Sequence, residues 1–187
     1  MVVRELERPR SMMRREVVTM GFDKVERLEV RAGGEQRSLL QRDGQNPERA
    51  YWVDSKTPDR RNELYSNWVA RLSKLRATSY LAADESPGAS GDEASARAQA
   101  LATLRFFGSQ DVLLDTLELR VVRGPGPDEF FGRGEQIGFW VALLGSSARL
   151  VDEDLGAILG GKSAISTGTS GALPVNSGTP PSMSPSL

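Results

Sequence analysis

The stretch GAILGGKS, Gly156–Ser163, has the spacing of a phosphate-cradling loop, G-x-x-x-x-G-K-[ST]. In such a loop, backbone amides and a lysine surround the phosphates while a hydroxyl reaches the magnesium ion. Gly156, Gly161, Lys162 and Ser163 would carry those roles here. The chemistry needs a strand that delivers the loop into the positive end of a helix. This sequence has the reverse order. The acidic run VDEDL, Val151–Leu155, opens a short helix with Asp152 as its N-cap, and Gly160-Gly161 stand where that helix ends. Lys162 then complements the negative end of the helix dipole. A phosphate placed there would meet Asp152, Glu153 and Asp154, and no later acidic strand follows to hold magnesium. The stretch therefore reads as a helix cap, and nucleotide binding is the alternative it leaves open.

The other spacings are weaker. GRGEQIG, Gly132–Gly138, approximates a dinucleotide fingerprint, but Ile137 takes the sixth position and no helix pattern follows. The sequence contains no His and no Cys. That excludes Ser–His–Asp and Cys–His devices, disulfides and thiolate metal sites. The carboxylates of Asp84–Glu93 and Asp152–Asp154 lack the spacing of a calcium loop. No metal, no cofactor and no catalytic residue is expected. The chain carries 24 basic and 25 acidic residues, a net charge of -1, which argues against a dedicated nucleic-acid binder. One local basic group stands out: Arg60, Arg61, Arg71 and Lys74 on the outer face of a helix expected over residues 58–77. That face is a candidate for an acidic protein partner. With Tyr65, Trp52 and Trp68 nearby it also supports a second alternative, weak nucleic-acid binding, although both tryptophans read as core.

These residues need elements to position them. DKVERLEVRA, Asp23–Ala32, alternates as a half-buried strand, with Leu28 and Val30 on one face and Arg27, Glu29 and Arg31 on the other. Gly33-Gly34 permit a tight turn into a returning strand, Glu35–Arg42, and Ala50–Asp54 supplies a third strand. Thr57 and Pro58 are placed to cap and open the helix, and Leu64, Trp68, Leu72 and Leu75 form its apolar stripe. Ala82–Ala96 is a polar, acidic loop. Arg97–Phe106 is ambiguous between helix and strand, and Leu113–Arg123 alternates as a strand. A Gly/Pro loop, GPGPDEFFGRGE, leads to QIGFWVALLG and SARLV, read as a hairpin turning at Gly145-Ser146. Strands followed by a helix occur in both 24–77 and 102–159, a loose internal echo.

The expected fold is α+β: an antiparallel sheet of meanders and hairpins, with two or three helices packed on one side. Residues 1–19 form an arm, 20–160 a single domain, and 161–187 a disordered tail of Ser, Thr, Pro and Gly. No apolar run approaches the ~18 residues of a membrane span, and the N-terminus lacks the apolar core of a secretory signal. The default location is cytoplasmic.

FDKVERLEVRAGGEQRSLLQRDGQNPERAYWVDS, followed by LYSNWVARLSKLRATSYL, resembles the bacterial domain-of-unknown-function family 4340. LDTLELRVV and EQIGFWVALLGSSARLVDEDLGAIL are similar to that family's second half, so the resemblance covers roughly residues 20–160. It implies attachment to the bacterial envelope, usually through an N-terminal membrane helix, beside transport or gliding-motility components. It brings no catalytic residue. This sequence departs from the pattern in showing no such membrane helix, so an envelope or periplasmic location would make it a soluble fragment. The resulting expectation is a non-enzymatic structural or protein-interaction module, accessory to such an assembly.

Overall fold

The computed structural model describes residues 17–18, 21–46, 48–82, 85–88 and 98–160. The expected tail and all of the expected arm but Val17 and Val18 lie outside the described residues. Eight strands form one antiparallel sheet: β1 (Arg27–Ala32), β2 (Glu35–Arg42), β3 (Tyr51–Asp54), β4 (Ala77–Tyr80), β5 (Ala98–Phe107), β6 (Leu113–Val122), β7 (Glu129–Gly134) and β8 (Val141–Leu143). Among the described residues two α-helices accompany them, α1 (Glu63–Leu72) and α2 (Gly145–Gly160), with 3-10 turns at Phe22–Lys24 and Ser109–Asp111. The spatial order is β3-β2-β1-β5-β6-β7-β8-β4. The chain is thus α+β with a helix-bearing antiparallel sheet.

The pleat of β1 sets the two faces. Leu28 and Val30 are buried while Arg27, Glu29 and Arg31 point the other way. Gly33 and Gly34, at φ 57° and 84°, make the two-residue turn that pairs Ala32 with Glu35. Both positions need positive φ, which glycine adopts without a Cβ clash. The ambiguous segment around 97–106 is strand: β5 sets Leu104 against both Val30 and Leu117, placing its alternate apolar residues in the core. Tertiary pairing overrides the helical preference of its alanines.

Three expectations shift. First, α1 is shorter than 58–77. Asn62, not Thr57, is the N-cap, and its side chain accepts from the Leu64 amide at 3.0 Å. Thr57 and Pro58 instead belong to turns folded around Asp54, whose Oδ1 takes the Lys56 amide at 2.9 Å and whose carbonyl takes the Thr57 amide at 3.0 Å. Second, SARLV is the first part of α2, not a returning strand. Ala148, Val151, Leu155 and Ile158 recur at helical spacing and are all buried. Asp152, expected as its cap, lies inside the helix and accepts from Arg123 at 2.6 Å. Third, EFFGRG from the Gly/Pro loop is β7. A Cβ on its Gly132 would sit 3.2 Å from a Val17 methyl, so the bare glycine lets Val17 pack onto the sheet.

Both helices cover the face that carries Leu28, Leu104, Phe106, Leu117 and Phe130. Trp68 is fully buried among them, and its indole N–H donates to the Val151 carbonyl at 3.0 Å, tying α1 to α2. Burying a side chain of this size contributes about 3 kcal/mol, and the hydrogen bond removes the cost of hiding a polar N–H. Both tryptophans weighed for base stacking, Trp52 and Trp68, are buried. The outward amide of Trp52 donates to Ser66 Oγ at 2.9 Å, so α1 also blunts the β3 edge.

Candidate functional site

The residues singled out in the sequence do not converge. Gly156 lies within α2 and Gly160 is its last residue, so the backbone of 156–160 is helical where a phosphate loop needs free amides. Gly161, Lys162 and Ser163 fall outside the described residues. The α2 end is held from elsewhere. Arg37, on β2, donates from Nε to the Leu159 carbonyl at 3.0 Å, and from Nη1 to Asp54. A cation 122 residues away thus does the work the sequence assigned to Lys162. GRGEQIG is the end of β7 and a turn, with Gly138 at φ 73°.

The basic helix face is likewise divided. Arg60 and Arg61 precede α1, and Arg61 stacks over the Tyr51 ring, 4.9 Å from its centre. Arg71 pairs with Asp154 on α2. Lys74 follows the helix and is exposed. These four residues form no continuous patch.

The sheet face opposite the helices does. Alternation along the central strands places Arg27, Glu29 and Arg31 of β1, Arg105 and Phe107 of β5, Glu118 and Arg120 of β6 and Arg133 of β7 on this side. Register does the rest: Glu29 stands opposite Arg105, and Glu118 opposite Arg133. Glu29 is shared by Arg27, by Arg105 at 3.5 Å and by Arg31 at 3.6 Å. Arg27 also reaches Asp111 at 2.9 Å, and Arg133 reaches Glu118 at 2.8 Å. Two rings each carry two guanidinium groups within about 5 Å of the ring centre. Phe107 lies under Arg27 at 3.8 Å and Arg105 at 5.0 Å, and Trp140 under Arg120 at 4.7 Å and Arg133 at 4.9 Å. Both rings are buried, yet neither belongs to the main core cluster.

Such pairs stabilise little, about 0–1 kcal/mol each for exposed ions and about 0.5–1 kcal/mol for an exposed cation over a ring. Their effect is orientation. A guanidinium held over a ring is positioned by it and keeps N–H donors that can take a carboxylate. Arg120 has no carboxylate partner among the described residues. The sequence showed the polar side of β1 but not that Arg105, Arg120 and Arg133 join it. The available signal was the alternation of TLRFF, LELRVV and FFGRG, whose polar positions share a face only once the register is known.

One further titratable group is buried, on the helix side. Asp115 of β6 pairs in register with Phe106. Burial pushes its carboxyl above the ordinary value, opposed by amide donors from Thr116 at 2.8 Å, Glu135 at 3.2 Å, and Gln136. It pins the turn after β7 onto β6, a structural role. Among the described residues no cluster of His, Cys, Asp or Glu could hold a metal ion. Comparison with protein-family models, with curated proteins and with solved structures finds no match to this chain.

Proposed function

We propose that this chain is a non-enzymatic binding module whose open, arginine-bearing sheet face docks the acidic surface of a protein partner. The carrying observation is the co-facial set Arg27, Arg31, Arg105, Arg120 and Arg133, all but Arg31 held over Phe107 or Trp140, on a face that neither helix covers. The interspersed Glu29 and Glu118 favour a protein partner with charges of both signs over a polynucleotide, whose phosphates suit an unbroken basic track. The two rings lie beneath guanidinium groups, which leaves bases no bare ring to stack on. The resemblance to family 4340 would make the partner a component of a bacterial envelope, transport or motility assembly. Among the described residues no helix is long and apolar enough to cross a membrane.

The test is affinity capture from the native host with the wild-type chain and with Arg31→Glu/Arg133→Glu. The proposal expects one protein to be retained by the wild type, released by moderate salt and lost by the variant at unchanged melting temperature. Equal capture by both proteins would remove the open face from the reading. Salt-steep binding to a generic duplex, lost in the same variant, would transfer the face to nucleic acid.

A further inference from the structure

A cleft of about 470 Å³ lies where the N-terminus of α1 meets the C-terminus of α2, on the helix side and away from the open face. Its volume falls in the range of about 300–1,000 Å³ typical of small-molecule sites. Arg37, Asp54, Arg60, Asn62 and Tyr65 line it. Two of these are paired with each other. Arg37 holds Asp54 Oδ2 and the Leu159 carbonyl, and Asp54 Oδ1 takes the Lys56 amide. Their charges cancel, so this pair adds no net charge to the cleft.

Arg60 and Tyr65 differ. Arg60 is exposed and has no acidic partner among the described residues. Tyr65 is 4% exposed, and among the described residues nothing hydrogen-bonds its hydroxyl. Among the described residues no fully buried side-chain polar atom lacks a partner, so the hydroxyl is not sealed from the surface, and Tyr65 lines the cleft. A phenol packed by its ring, with no protein partner at its tip, can donate to a ligand. Asn62, the N-cap of the ten-residue α1, brings the positive end of that helix to the same cleft. The free cation, the free donor and the start of α1 favour negative charge, while Arg37 answers the opposing C-terminal end of α2.

We infer that this cleft binds a small molecule through a carboxylate or phosphate group, with Arg60 supplying the charge and the Tyr65 hydroxyl the orienting hydrogen bond. The Arg37–Asp54 pair forms a fixed, locally neutral floor that keeps the pocket open by holding the end of α2 to β2. The inference is independent of the open face.

The full chain is titrated with inorganic phosphate and, separately, with acetate at constant ionic strength, and backbone amide shifts are followed by NMR. Saturable shifts confined to Thr57–Tyr65 and the end of α2 support the site, and the anion giving the tighter curve identifies the preferred group. Arg60→Gln should weaken that binding by about tenfold or more, as expected for loss of a charge-assisted contact. Tyr65→Phe keeps the ring and should weaken it by a smaller factor, with the melting temperature of both variants near wild type. The inference is overturned if neither anion saturates, if both variants bind like wild type, or if the shifts map to Arg105 and Arg133 instead.

Discussion

The two faces of the sheet are built from the same strands and held together by opposite means. On the helix side, Leu28, Leu104, Leu117 and Phe130 meet Trp68 and Ile158, and the two buried carboxylates, Asp54 and Asp115, are answered by Arg37 and by backbone amides. On the open side, neighbouring strands meet through Arg–Glu pairs and guanidinium–ring contacts. Removing apolar area from water scales with area and is insensitive to salt, whereas exposed ion pairs return little free energy and are screened. The difference assigns stability to one face and leaves the other free to be shaped by recognition.

The contrast breaks most easily at Trp68. Trp68→Ala should cost about 3–5 kcal/mol, since it opens a cavity and removes the hydrogen bond that ties α1 to α2. Denaturant unfolding measures this, and a loss below 1 kcal/mol would mean that α1 and α2 are held by something other than the core.

Asp115 sharpens the contrast within the covered face. Its folded carboxyl titrates above the ordinary 3.8, chiefly because it is buried. The folded chain therefore binds this proton more tightly than the unfolded chain does. Protonation favours the fold, and Asp115 should add stability as pH falls from neutral through its folded pKa toward 3.8. Other carboxylates act in the opposite sense, so the measurement is the wild-type stability minus that of Asp115→Asn across this window. A flat difference would mean that the amide donors fully offset the burial.

The smallest effect belongs to the open face. Glu29→Gln removes the acceptor shared by three arginines. Its cost should be about 1 kcal/mol or less and should shrink as salt is raised. A salt-independent loss as large as that of Trp68→Ala would abolish the division of labour between the faces.

Much of the covered face could be read in the sequence because it is written locally. The alternation of β1 and the Gly33-Gly34 turn are each contained in a few residues and are found as read. Of the stripe Leu64, Trp68, Leu72 and Leu75, Trp68 and Leu72 are buried on α1, Leu64 is partly buried, and Leu75 is buried but lies beyond the helix end. The helix limits were less legible, because Asn62 competes with Thr57 for the cap and only tertiary contacts around Asp54 decide between them. The start of α2 was missed because SARLV alone is too short to separate helical from strand period. The open face depends on register between strands far apart in sequence, which no local pattern encodes. The cleft shows both limits. Arg60 was noticed, but as part of a helix face that does not exist, while Tyr65 is a core ring whose tip alone matters. Arg37 gave no signal that it would cap a helix end 122 residues away.

The route of β4 has a kinetic consequence. Tyr80 pairs with Val141 and Ala77 with Leu143, so the first half of the chain finishes its strand on the far edge of the second. β1 likewise completes its pairing only with β5, Leu28 against Phe106. Neither half can close its sheet before the other has been made, and the loop-closure entropy of both distant pairings falls early in assembly. The two strand–helix halves are therefore not separate folding units. The expectation is folding as one unit, at a pace set by its long-range strand pairs.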